Sequence, residues 1–181
     1  MVSFAHNEIK HHITFHIQAT IHETAHSIFA FSTFLQEAQA YGFEGLGSRY
    51  LYTARLNYGK EAVKIMKRLY ERAEREGLVN ELKDLIHKTV DSYMKTGKRL
   101  ANNEISIADL PLGRKYCLTN SNEFFSEFLA DYIMFPSRVR KLDPELYEKV
   151  RKIVFGGEEF SEDFGKEIVN KIIGDLEKLR K

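Results

Sequence analysis

The sequence predicts a mainly α-helical protein, α+β at most with a short residual sheet, and three observations carry that prediction. Apolar residues recur at helical spacing through one long N-terminal stretch. Two later stretches, residues 60–75 and 79–101, repeat charged and apolar residues with the same period. Only three prolines interrupt 181 residues. Hydrophobic residues at 43% and charged residues at 29% fit an ordinary globular chain, long enough for a sizeable core and suited to a single domain.

The elements follow in order. The first helix is expected over residues 17–40, where Ile21, Ala25, Ile28, Phe31 and Leu35 make a stripe that Phe29 and Phe34 widen. Just before it, "ITFHIQ" alternates apolar and polar residues and reads either as a short strand or as the first turns of the helix. "GFEGLGS", residues 42–48, reads as a loop, and nothing sets its glycines between a strand and a helix as a phosphate cradle requires. Residues 48–58 read as a strand pair or a short helix. The amphipathic pair 60–75 and 79–101 is parted by Gly77, and residues 102–120 form a loop broken by Pro111 and Gly113. A helix over 122–135 stops or bends at Pro136. Asp143 caps the next one, with Pro144 at its first position, and Ser161 opens a last helix that runs to about residue 180.

Several function classes recede on composition alone. A formal net charge of +1 gives no bulk attraction to nucleic acid. No apolar run reaches transmembrane length, so no membrane partner is expected. The N-terminal residues lack the pattern of a signal peptide, and the single cysteine, Cys117, has no intrachain partner. The expectation is a cytoplasmic protein.

Chemistry enters at "TIHETAHSIFAF", residues 20–31. His22 and His26 stand one helical turn apart on one face, so two imidazole nitrogens can aim at a common point, as a zinc ion needs. Glu23 lies about 100° further round, poorly placed as a ligand but well placed to take the proton of a water on the metal. His12 and His16 are also four apart but lack such a base. With His6 and His11, they are expected on the surface.

A catalytic zinc takes three protein ligands and leaves one position open. No third histidine follows His26 closely. The remaining donors are acids on a downstream helix, and "NSNEFFSEFLADY" supplies Glu123, Glu127 and Asp131 at successive turns among phenylalanines. Acids on a helix otherwise destined for burial are costly unless paired or metal-bound.

The segment Asn122, Glu123, Phe124, Phe125, Ser126, Glu127 resembles the Asn-Glu-x-x-Ser-Asp stretch of thermolysin-type gluzincins. It is closer still to the Glu-Phe-Phe-Ala-Glu-x-Phe stretch of zinc metallopeptidases like anthrax lethal factor and the Pro-Pro endopeptidases. The resemblance covers the active helix and roughly residues 114–153. It implies a compact zincin-like fold in which Zn²⁺ is held by His22, His26 and Glu123. It also implies Glu23 as general base and Tyr116, seven residues before Glu123, as a donor to the oxyanion. Glu127, and then Asp131, would hold a ligating histidine in its tautomer. The implied activity is hydrolysis of a peptide or protein substrate by metal-activated water. That family carries a sheet ahead of its active helix, so an edge strand for substrate would have to come from residues 12–17 or 48–58. Its absence would favour the alternative, a catalytically inactive zincin-like structural or interaction protein of a phage or toxin assembly.

Overall fold

The computed structural model describes residues 2–41 and 49–179, with side chains from residue 8 onward except 41, 49–58, 60, 62 and 66. The loop expected at 42–48 lies outside the described residues, as does the side chain of His6. The first helix, α1, spans Val2–Tyr41, starting well before the expected residue 17. "ITFHIQ" is therefore helix, and the period of four decides it. Ile13, Ile17 and Ile21 pack as one stripe against Met134, Val169 and Ile173, while the alternating Phe15 is left 51% exposed. The hydroxyls of Thr14, Thr20 and Thr24 donate to carbonyls one turn back, which lets these β-branched residues sit inside the helix.

The chain divides into two compact units, one formed by residues up to Ser27 and from Thr89 onward, the other by Ile28–Lys88. In the second unit, α2 covers Arg49–Arg75 and is broken at Gly59, whose φ of 76° departs from helix. Residues 49–58 are thus helical, the second of the two readings left open. Gly77, at φ 74°, closes α2 and lets α3, Leu78–Ala101, begin. The core here joins Phe34, Leu35 and Ala38 to Tyr70, Ala73 and Val79.

In the first unit the stretch after α3 is not a bare loop. Three short 3-10 helices occupy it, Ile107–Asp109, Pro111–Gly113 and Lys115–Leu118. Helix α4, Ser121–Met134, is the centre of this unit. Asn120 caps it by accepting from the amides of Asn122 and Glu123, and ten of its fourteen residues are buried. Pro136 occupies an N-terminal position of α5, Pro136–Leu142. Asp143 caps α6, Pro144–Ile153, by accepting from Leu146 N at 2.9 Å. Helix α7, Phe164–Leu179, starts three residues after Ser161. Its Gly165 lies so close to α4 that a Cβ there would meet Met134 O at 2.9 Å.

The protein is mainly α, and no strand occurs among the described residues. Neither 12–17 nor 49–58 supplies the edge strand that the resemblance called for, because both lie within helices. No described helix is long and apolar enough to cross a membrane.

Candidate metal centre

Two elements of the first unit build the site. Helix α1 carries His22 and His26 one turn apart, their ring centroids 4.5 Å from each other. Helix α4 carries Glu123 in its first turn, where the exposed amide dipoles favour a negative charge. The two histidine Nε2 atoms are 2.9 Å apart, and Glu123 Oε2 lies 3.1 Å from that of His22 and 3.3 Å from that of His26.

Three basic atoms in so small a triangle repel one another unless a cation stands among them. Glu123 Oε2 sharpens the point, being buried with no hydrogen-bond partner. Such an orphaned carboxylate oxygen is costly in a protein interior. Burial above all, then the neighbouring His26, lowers the pKa of His22, so its ring is held neutral with a lone pair available. A point about 1.8 Å from all three atoms lies in their own plane, just inside the roughly 2.0–2.1 Å that zinc takes from such donors. The three atoms therefore stand close enough together for one such ion to be shared among them. Two imidazoles and a carboxylate are a zinc donor set, and the residues present fit that metal.

Glu23 also brings a carboxylate oxygen within 4.8 Å of a donor atom on each histidine. Of the two acids, Glu123 is the better ligand, because its Oε2 is nearer, buried and without a hydrogen-bond partner. Glu23 is exposed, beside the donors and open to solvent.

His26 is oriented by residues to which the sequence gave no role, whereas His22 Nδ1 is buried without a hydrogen-bond partner. His26 Nδ1 lies 2.9 Å from Asn122 Oδ1 and 3.1 Å from Ser126 Oγ. Since the amide oxygen only accepts, the Nδ1 proton is assigned to that bond and the Nε2 lone pair turns toward Glu123. The role expected of Glu127 and Asp131 thus falls to Asn122 and Ser126. Glu127, fully buried, instead accepts from Arg114 Nε at 2.6 Å, and Arg114 Nη2 bridges to the same oxygen. Asp131, also fully buried, accepts from Arg138 Nη1 at 2.9 Å and from Leu112 N at 2.8 Å. Burial raises the pKa of both carboxyls, that of Asp131 to about 6.

Tyr116, in the last of the 3-10 helices, stands with its ring 6.1 Å from that of His22 and is half exposed. The charge of Glu123 first, then loss of water, raises the pKa of its phenol above the ordinary range. His11, His12 and His16 are exposed on α1, away from these partners.

A signal for Asn122 and Ser126 was present, since they share one face of α4 four residues apart, beside the Glu123 and Glu127 pair. Acids drew attention first because carboxylates are the usual partners of ligating imidazoles. Comparison with family models, with curated proteins and with solved structures gives no match, so the functional reading stands on this geometry.

Proposed function

We propose that the protein is a zinc-dependent metallopeptidase of zincin type, with His22, His26 and Glu123 as the metal's protein ligands. The observation that supports this most is the triangle of His22 Nε2, His26 Nε2 and Glu123 Oε2, none more than 3.3 Å from the next, with the buried carboxylate oxygen lacking a donor. A bound zinc supplies a Lewis acid that polarises a carbonyl and makes water more acidic. Glu23, exposed beside the donors, accepts the proton of the attacking water and returns it to the leaving amine. Tyr116 offers a protonated phenol to the oxygen on which negative charge develops. Asn122 and Ser126 keep the His26 ring turned for its task. A peptide is the fitting substrate, and a reducing, cytoplasmic setting suits the lone buried thiol of Cys117.

One observation favours a second reading, a non-catalytic zinc site. Glu23 is close enough to both histidines to close a four-ligand shell, and no strand among the described residues offers an edge for an extended substrate. Glu23→Gln separates the two. As a base, Glu23 is needed for peptide cleavage but not for metal, so the variant keeps its zinc and loses activity. As a ligand, its replacement weakens zinc binding in a protein that cleaves no peptide to begin with. Zinc stoichiometry by atomic spectroscopy and cleavage of a mixed peptide library, measured on both proteins, decide between them.

A further inference from the structure

The three acids of α4 stand one turn apart, and the segment preceding the helix lies against them in reverse order. Leu112 N donates to Asp131, Arg114 pairs with Glu127, and the Tyr116 ring stands 6.1 Å from that of His22, the neighbour of Glu123. The segment advances two residues for each turn of helix. Arg114 is extended, at φ −142° and ψ 155°. Its neighbours are not: Leu112 and Gly113 have positive φ, and Lys115 and Tyr116 belong to a 3-10 helix, so the register rests on the side-chain contacts rather than on a strand.

We propose that residues 112–116 form a strap whose middle rung, Arg114 with Glu127, positions Tyr116 over the metal-ligand face. This rests on the peptidase reading, and it assigns Arg114 and Glu127 as positioning residues. Tyr116 has little hold of its own, being half exposed in a four-residue 3-10 turn. The rung supplies that hold at both ends. Glu127 lies wholly inside the protein, one turn beyond Glu123, so its place is set by the packing of α4. The thiol of Cys117, next to Tyr116, donates to the carbonyl of Arg114 at 3.3 Å. The Arg114 guanidinium, fixed on Glu127, reaches back over the Tyr116 ring at 5.6 Å from its centre. The phenol is therefore registered against the same helix that carries Glu123. A buried carboxylate is an expensive residue to keep for packing alone, whereas a rigid anchor for a catalytic side chain needs such a pair.

The test is a double-mutant cycle on the zinc-loaded full chain. Arg114→Met combined with Glu127→Gln removes the rung without leaving an uncompensated buried charge, and thermal unfolding verifies that each variant folds. Tyr116→Phe is expected to lower kcat roughly 10²-fold, the loss typical of one oxyanion donor. Removing the rung should lower kcat roughly tenfold or more with KM little changed, as a misplaced catalytic group does. Added to Tyr116→Phe, rung removal should cost nothing further, because both changes disable one function. Independently of activity, amide hydrogen exchange over residues 115–118 should quicken in the rung variant and stay unchanged in Tyr116→Phe. Losses in kcat that multiply, or exchange at 115–118 that does not move, would overturn the proposal. A zinc-loaded protein that cleaves no peptide overturns the peptidase reading itself, while exchange still reports whether the rung holds the strap.

Discussion

His26 Nδ1 and Asn122 Oδ1 lie 2.9 Å apart, although 96 residues separate them along the chain. This bond ties the side of α1 that carries the two histidines to the first turn of α4 and selects which nitrogen of His26 faces Glu123. A neutral amide, rather than a carboxylate, does the orienting, so it adds no negative charge to a site that already holds Glu123.

Asn122→Ala should therefore weaken zinc binding by roughly 10–100-fold, the range seen when partners of ligating histidines are lost. Calorimetric titration with zinc checks it, and far-UV circular dichroism should show the helices intact. Unchanged affinity would mean that Ser126 alone, at 3.1 Å from the same nitrogen, is sufficient.

Zinc should stabilise the fold by mass action. At a free concentration a hundred times its dissociation constant, the gain is about 2.7 kcal/mol. Adding zinc to the metal-free protein should raise Tm, and Glu123→Ala or His22→Ala should abolish that rise. Glu23→Gln should preserve it, since the proposed base is not needed to hold the ion. A rise that survives Glu123→Ala would remove Glu123 from the ligand set.

Asp131 makes the stability of the metal-free protein depend on pH. Burial, the largest influence, raises its carboxyl from the ordinary 3.8 to about 6, although Arg138 and the Leu112 amide pull the other way. A carboxyl raised in the folded state contributes stability below about pH 4 that is lost as pH rises through about 6, worth roughly 3 kcal/mol in full. Asp131→Asn should accordingly flatten the fall in stability between those values. Urea unfolding at a series of pH values, compared for the two proteins, measures it. Equal slopes would contradict the assignment.

Gly165 tests the packing that holds α4. A methyl group there would come within 2.9 Å of the Met134 carbonyl oxygen and 3.1 Å of the Met134 terminal methyl. The side chain can yield but the backbone oxygen cannot, so Gly165→Ala should destabilise the protein by roughly 1–3 kcal/mol despite alanine's better helix propensity. Thermal unfolding of the two proteins gives the difference. A stabilised variant would show that α7 shifts freely from α4.

Much of the helical pattern was legible locally. The cap at Asp143 and the stop before Pro136 rest on contacts a few residues apart and could be read from order alone, whereas the cap at Asn120, just as local, is missed by a helix expected to start at 122. Residues 13–18 were not settled so easily. Their alternation fits a strand as well as a helix until Ile13 and Ile17 are seen to pack with Ile21. The short 3-10 helices between α3 and α4 carry no periodic signal at all, since each is only three or four residues long.

The site divides along the same line. Sequence by itself determined that His22 and His26 share a face with Glu23 beside them, and that Glu123, Glu127 and Asp131 share another, because helical period fixes such relations without reference to the rest of the chain. Tertiary structure decided what each acid does. Successive turns of α4 are equivalent until something packs against them. Here α1 meets the first turn, Arg114 the second, and Leu112 with Arg138 of α5 the third, leaving Glu123 to the histidines, Glu127 to Arg114 and Asp131 to Arg138 and the Leu112 amide.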